Sequence, residues 1–301
     1  MMAAKIIDGK AVAKQVRLEY RERVAQLVQQ GCKPGLAVIL VGDNPASRVY
    51  VQNKTKACAE VGMHSEVYRF PANVSQDLVI REIEKLNADP NIHGILVQLP
   101  LPPEFQIRKV LETISHEKDV DGFHLYNVGG LVVGGIVFPP CTPFGVQRLL
   151  ESENISVEGQ NVVVVGASNI VGKPMALMLM QREATVVICH AKTRDLAQFT
   201  ILADILVVAA GVPNLILPQM VKTGAVVIDV GINRLPDGRL VGDVDFEGVK
   251  KKASYITPVP GGVGPMTVTM LVVNTVQSAE RELKRKSEMN EVKSVSALPV
   301  M

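Results

Sequence analysis

A tyrosine and a lysine four residues apart can act together on one ligand, because positions i and i+4 share a helix face. Tyr50 and Lys54 have that spacing, just beyond the apolar run Leu36–Val41. Together they can stack on a ring and supply a proton or a positive charge. The same spacing describes an ordinary surface pair, and nothing local singles out Lys54 from Lys56. Gln98 directly follows the apolar run Ile95–Val97. Sites in α/β proteins collect there, at the carboxyl ends of strands. Its amide can bond a substrate, orient a lysine or cap a turn. Asp121, in Lys118-Asp119-Val120-Asp121-Gly122, can hold an amidine-like heterocycle through paired hydrogen bonds, or bond its own turn.

A second chemistry is written in Val162-Val163-Val164-Val165-Gly166-Ala167-Ser168-Asn169-Ile170-Val171-Gly172. This is a buried strand, a glycine turn and a helix start, which suits a pyrophosphate at a helix N-terminus. Ser168 stands where the middle glycine of G-x-G-x-x-G would be, so the motif alone is weak. The next strand ends in Cys189-His190-Ala191-Lys192-Thr193-Arg194, with no carboxylate before Asp195. NAD-binding domains usually place an acid there for the ribose hydroxyl. Lys192 and Arg194 instead favour a 2′-phosphate, hence NADP; as solvated loop charges they would leave NAD open.

The third stretch is Pro258-Val259-Pro260-Gly261-Gly262-Val263-Gly264-Pro265. Its prolines fix φ and its glycines bare the backbone. It reads as a stiff turn, or as a wall that can press against a flat ligand.

The elements around these residues alternate. Helices are predicted at 9–30, 46–60, 75–86 and 107–114, and strands at 36–41, 64–70 and 95–97. After an irregular stretch at 115–141, Thr142 is expected to cap a helix with Pro143 at its first position. Strands follow at 161–165, 184–189, 205–209 and 225–229, then a Pro236-Asp237-Gly238 turn and a final helix over 265–286. The pattern predicts an α/β chain of two domains around a cleft, the second a Rossmann-like dinucleotide-binding domain with a parallel sheet. The expected bounds are 1–140 for the first domain, completed by helix 265–286, and 141–264 for the second. A polar, aperiodic stretch at 287–301 is expected to be disordered.

Composition excludes several classes. The net charge is +2 with scattered positive residues, which gives no footprint for nucleic acid or an anionic membrane. The most apolar segment, Ile201–Leu217, is broken by Asp204, Pro213 and Asn214, so no membrane span is expected. Four separated cysteines and no apolar leader point to free thiols in the cytoplasm. No His, Cys and carboxylate cluster has metal-ligand spacing. Neither G-x-S-x-G nor G-x-x-x-x-G-K-[ST] occurs.

In combination these motifs resemble the bifunctional methylenetetrahydrofolate dehydrogenase/methenyltetrahydrofolate cyclohydrolase family in its bacterial form, over roughly residues 5–285. The resemblance rests on Tyr50-Val51-Gln52-Asn53-Lys54-Thr55-Lys56, Gly94–Pro102, Lys118–Gly122, Pro140-Cys141-Thr142-Pro143 and Pro258–Thr267. It implies oxidation of 5,10-methylenetetrahydrofolate with NADP, then hydrolysis of the methenyl product to 10-formyltetrahydrofolate. It further implies that Lys54 promotes water attack, Gln98 tunes Lys54, Tyr50 stacks near the pterin, and Asp121 binds the pterin edge. Val97, Leu99 and the backbone of Pro260, Gly261, Gly262, Val263 and Gly264 would line the folate. Gly166, Ala167, Ser168 and Ile232 would contact the cofactor, with Lys192 and Arg194 near its phosphate. A homodimer is expected by the same resemblance. Some relatives carry Arg where this chain has Ala167 and Ser where it has Ala191, so NAD use is an alternative. A dehydrogenase without hydrolysis is a second, against which intact Tyr50, Lys54 and Gln98 argue.

Overall fold

Apolar runs four to seven residues long, each followed by an amphipathic segment, build parallel strands covered by helices. The computed structural model describes residues 3–135 and 137–296. In chain order its elements are β1 (Lys5–Ile6), α1 (Gly9–Gln29), β2 (Gly35–Val41), α2 (Pro45–Val61), β3 (His64–Phe70), α3 (Gln76–Ala88), β4 (Gly94–Val97), α4 (Ile107–Thr113) and α5 (Leu125–Val133). They continue with α6 (Cys141–Ser152), β5 (Asn161–Val165), α7 (Gly172–Met180), β6 (Thr185–Cys189), α8 (Leu196–Thr200), β7 (Ile205–Val208) and β8 (Val226–Asp229). The last are β9 (Asn233–Arg234), β10 (Leu240–Val241), α9 (Phe246–Val249), β11 (Tyr255–Ile256) and α10 (Val263–Ser296).

The chain divides into two compact units: Arg17–Leu125 with Leu271–Met301, and Met1–Val16 with Tyr126–Met270. The first holds a three-stranded parallel sheet in the order β3-β2-β4. Every residue of the central strand β2 is buried, as a strand covered on both faces requires. One side packs Ile39, Ile83, Ile95 and Val110 into a single core. The stretch 118–122 is pinned beside β4. Ile95 N donates to Lys118 O at 2.8 Å, and Asn274 Nδ2 of α10 donates to Val120 O at 2.8 Å. Lys118 Nζ donates to Leu86 O at 3.0 Å and to Asp89 O at 2.7 Å, and burial lowers its pKa.

The second unit holds a six-stranded parallel sheet in the order β1-β11-β8-β7-β5-β6, plus the short antiparallel pair β9–β10. The chain moves outward from β5 to β6, then returns to β7 on the other side of β5. That reversal is the switch point at which open α/β sheets bind ligands.

The structure departs from the sequence expectations at five places. Residues 3–16 lie with the six-stranded sheet, because β1 pairs in parallel with β11. The boundary expected at 140 falls between Leu125 and Tyr126, and α5 occupies part of the supposedly irregular stretch. Burial of Asn127, Gly130 and Leu131 on one face offsets the low helix propensity of its two glycines. Helix α6 begins at Cys141 with Pro140 at the N-cap, so Thr142 is not the cap. Its hydroxyl instead meets Thr267 Oγ1 at 3.0 Å. Helix α10 starts at Val263 rather than Pro265 and runs through 287–296, which were expected to be disordered. No glycine or proline interrupts it after Pro265, and Lys286–Glu282 and Lys284–Glu288 pair one turn apart at 2.6 and 3.8 Å. Residues 297–301 lie outside the described residues.

Replacing Asn274 by Ala removes the buried donor to Val120 O. We expect a loss of about 1–3 kcal/mol in stability, read as a lower urea midpoint, because a buried carbonyl loses its partner.

Candidate active site

Lys54 owes its position to the way α2 begins. Asn44 Oδ1 accepts from Ala46 N at 2.9 Å and Ser47 N at 3.2 Å, Pro45 fills the first turn, and Gly62 closes the helix at φ 83°. The buried stripe of this helix is Ser47, Val51, Lys54, Cys58 and Val61. Lys54 therefore occupies a core-facing position and is only 9% exposed, whereas Lys56 is exposed. The difference that the immediate sequence did not supply is one of helix face.

The acceptor for this amine comes from β4. Gln98 N donates to Ile39 O at 2.9 Å, continuing the ladder past the end of the strand. Its side-chain Nε2 donates to Leu99 O at 2.7 Å, which fixes the amide orientation and aims Oε1 at Lys54 Nζ, 3.0 Å away. Gln98 is thus the lysine-orienting amide rather than a turn cap alone. The Val97 side chain is 3% exposed, so its backbone is what it can offer a ligand. Tyr50, one turn before Lys54, is 39% exposed and presents its ring to solvent.

Asp121 lies half-buried in the pinned 118–122 turn. Two residues earlier, Asp119, 2% exposed, accepts from His124 N at 2.8 Å.

In the other unit, four adjacent parallel strands end together. Gly166 N, after β5, donates to Cys189 O at the end of β6, 2.9 Å away. A Cβ on Gly166 would lie 2.2 Å from Ala209 O, just beyond β7. Its φ of 121° also favours glycine. A Cβ on Gly172 would lie 1.9 Å from Gly166 O. These bare backbones make a close turn at the switch point and the start of α7, the cradle a dinucleotide pyrophosphate requires. Ser168 does more than replace a glycine. Its Oγ accepts from Val171 N at 3.1 Å and Gly172 N at 3.4 Å, leaving its hydroxyl proton to donate outward. Two of the N–H groups expected to face an anion are thereby used by the protein itself.

After β6, His190 N donates to Thr193 Oγ1 at 2.9 Å, and Lys192 N donates to His190 Nδ1 at 3.2 Å. This small turn holds Lys192 and Arg194 exposed, and among the described residues no ion pair engages either.

The proline–glycine loop packs within the same unit. Lys10 N donates to Gly261 O at 3.1 Å, and Gly262 N to Pro258 O at 2.8 Å. A Cβ on Gly9 would lie 1.8 Å from Gly262 O, so the start of α1 buttresses the loop through bare backbone. Gly261 has φ 113°, and a Cβ on Gly264 would meet Ile232 Cδ1 at 3.6 Å. Ile232 and the loop are therefore neighbours. Val263 is 3% exposed, so only its backbone can face a ligand; Pro260 is exposed.

Two buried carboxylates that the sequence reading passed over stand behind these loops. Asp229 closes β8 and is 3% exposed; burial pushes its carboxyl up to about 7, against the pull of the N–H groups it accepts. Asp243 is fully buried. Among the described residues, no three His, Cys, Asp or Glu side chains are grouped to hold a metal.

Two family models match the chain. One, tetrahydrofolate dehydrogenase/cyclohydrolase, catalytic domain, spans residues 7–121. The other, tetrahydrofolate dehydrogenase/cyclohydrolase, NAD(P)-binding domain, spans residues 140–283. The bifunctional protein FolD of Nitrosospira multiformis is 65% identical over 93% of this chain and 97% of its own. The crystal structure of the FolD methylenetetrahydrofolate dehydrogenase/cyclohydrolase from Campylobacter jejuni superposes with a TM-score of 0.91 at 53% identity, covering 93% of this chain and all of that one. The Trypanosoma brucei enzyme, solved with NADP cofactor and an inhibitor, gives a TM-score of 0.91 at 42% identity, covering 94% and 99%.

Proposed function

The chain belongs to the tetrahydrofolate dehydrogenase/cyclohydrolase family, and from that premise we propose how its residues divide the two reactions. The enzyme oxidises 5,10-methylenetetrahydrofolate to the methenyl form with NADP, then hydrolyses it to 10-formyltetrahydrofolate. The observation that carries the hydrolytic half is the buried Lys54 Nζ held on Gln98 Oε1.

Bound NADP⁺ supplies the hydride acceptor for the first reaction. The protein's part is position, since reacting carbons need to meet at roughly 3–3.5 Å. Gly166 and Gly172 admit the pyrophosphate, the Ser168 hydroxyl donates to it, and Ile232 contributes backbone. Lys192 and Arg194 offer two cations to the 2′-phosphate. Ala167 and Ala191 add no polar group, so these two side chains carry the discrimination from NAD.

In the second reaction water adds to the methenyl carbon. Lys54 takes one of the water's protons as the C–O bond forms. It returns that proton to the ring nitrogen as the C–N bond breaks, while the hydroxyl proton of the adduct is released to water as the C=O bond forms, leaving the formyl group on N10. The Gln98 bond fixes the amine so that the transfer occurs along one direction. Tyr50 stacks on the folate and Asp121 takes the pterin edge through paired hydrogen bonds. Val97 and Leu99 line the ligand through backbone.

The fold also suits a homodimer. β6 is an edge strand of the six-stranded sheet, with Val187 and Ile188 37% and 40% exposed. An apolar edge of this kind is covered in most proteins, here by a second copy. The four cysteines are free thiols, which fits the reducing cytoplasm. No helix among the described residues is long and apolar enough to cross a membrane.

Lys54→Met is expected to lower methenyl hydrolysis by about a hundredfold or more, the scale of a lost general base. Lys56→Met, on the exposed face, should keep it. Hydrolysis at the wild-type rate in folded Lys54→Met would remove the assignment. Replacing Lys192 and Arg194 together by Ala should raise KM for NADP⁺ and leave KM for NAD⁺ nearly unchanged; equal shifts would remove them as phosphate ligands.

A further inference from the structure

We infer that Asp243 is a positioning residue for the dehydrogenase reaction, holding the backbone at the carboxyl edge of the six-stranded sheet in the shape that receives the cofactor. The role follows from what its carboxylate accepts. Oδ2 takes Ala210 N at 2.6 Å and Gly211 N at 2.8 Å. Oδ1 takes Val212 N at 3.0 Å and Asn233 Nδ2 at 2.8 Å. A carboxylate has about four acceptor positions, and all are used on two loops. Residues 210–212 follow β7, and Asn233 follows Ile232 beyond β8.

The orientation matters as much as the count. In a planar trans peptide the carbonyl points opposite to the next N–H. With the amides of 210, 211 and 212 turned toward Asp243, the carbonyls of Ala209, Ala210 and Gly211 turn away from it. Ala209 O does so, lying 2.2 Å from where a Gly166 Cβ would be. Asp243 thus fixes three successive peptides beside the glycine turn, with Ala209 O packed against Gly166. The carbonyls of Ala210 and Gly211, turned from Asp243, can orient an N–H donor such as a nicotinamide carboxamide.

A second carboxylate holds the first. Asp229 Oδ1 accepts from Asp243 N and from Gly231 N, each at 3.0 Å, and Oδ2 accepts from Val244 N at 3.0 Å. The approach needs bare backbone on both sides. A Cβ on Gly242 would lie 1.8 Å from Asp229 Oδ2, and one on Gly231 would lie 2.1 Å from Asp243 Oδ1. The chain runs from the end of β8 through Asp229 to residue 243, and from the Asp243 carboxylate to both loops. Neither acid touches Lys54 or Gln98, whose contacts lie within the other unit.

Asp243→Asn tests this. An amide keeps the size but turns one acceptor into a donor that faces N–H groups. We expect KM for NADP⁺ to rise about tenfold or more, because the loops that receive the cofactor lose hydrogen bonds to a charged carboxylate. The rate of methenyl hydrolysis, measured with no cofactor present, should stay within about threefold of wild type, since Lys54 supplies its proton transfer. Asn233→Ala, which removes one of the four donors and leaves the carboxylate, should give a smaller rise in the same constant. It also serves as the deciding variant if Asp243→Asn does not fold. An unchanged KM for NADP⁺ in either folded variant would overturn the assignment. So would hydrolysis and cofactor binding falling in parallel, which marks a purely structural role.

Discussion

A buried amine needs a partner, because an isolated charge or an unsatisfied polar group in a protein interior is costly. Lys54 has one in the amide oxygen of Gln98, at 3.0 Å. That bond exists only because other features place its two ends. Asn44 and Pro45 set the phase of α2, so that Lys54 falls on the buried stripe with Val51 and Cys58. The β2–β4 pairing carries Gln98 past the end of its strand, and Leu99 O takes the other end of its amide. The Lys54–Gln98 pair is thus built from a helix cap, a parallel ladder and one side-chain amide with both ends used.

The dinucleotide half follows a different rule. Four neighbouring parallel strands end at one edge, and what lies there is mostly backbone: Gly166, Ala209–Val212, Gly231 and the Pro258–Gly264 loop. Bare backbone approaches a ligand closely but does not hold its own shape. Side chains behind it supply the rigidity, chiefly Ser168 at the start of α7 and Asp229 with Asp243 behind the loops after β7 and β8. The start of α1 plays the same part for the proline–glycine loop, through Gly9 against Gly262 O.

Much of this was legible in the sequence, and the reasons differ by element. The central strands announced themselves as unbroken apolar runs, and α2 as a helix over 46–60. The choice between Lys54 and Lys56 was not read from the sequence, although its spacing holds a signal for it. Val51, Lys54, Cys58 and Val61 keep helical spacing, so a lysine interrupts an apolar stripe there, whereas Lys56 lies off it. Two-residue strands such as β1 and β11 carry no periodicity and appear only through their pairing. The helix α5 was hidden by Gly129 and Gly130, whose low propensity is outweighed by tertiary burial. The continuation of α10 past Lys286 was hidden by loss of the apolar stripe, although nothing there breaks a helix. Asp243 had no local mark at all. Gly242-Asp243-Val244-Asp245 reads as a turn, and its partners at 210–212 and 233 are distant in sequence.

The central claim is that one chain carries both reactions in succession. The most direct measurement mixes the wild-type protein with 5,10-methylenetetrahydrofolate and NADP⁺, and follows reduced cofactor, methenyl and 10-formyl species together. 10-Formyltetrahydrofolate is expected to appear in step with reduced cofactor, with little build-up of the methenyl form. Methenyl product accumulating in amounts equal to the reduced cofactor would contradict it and leave a dehydrogenase alone.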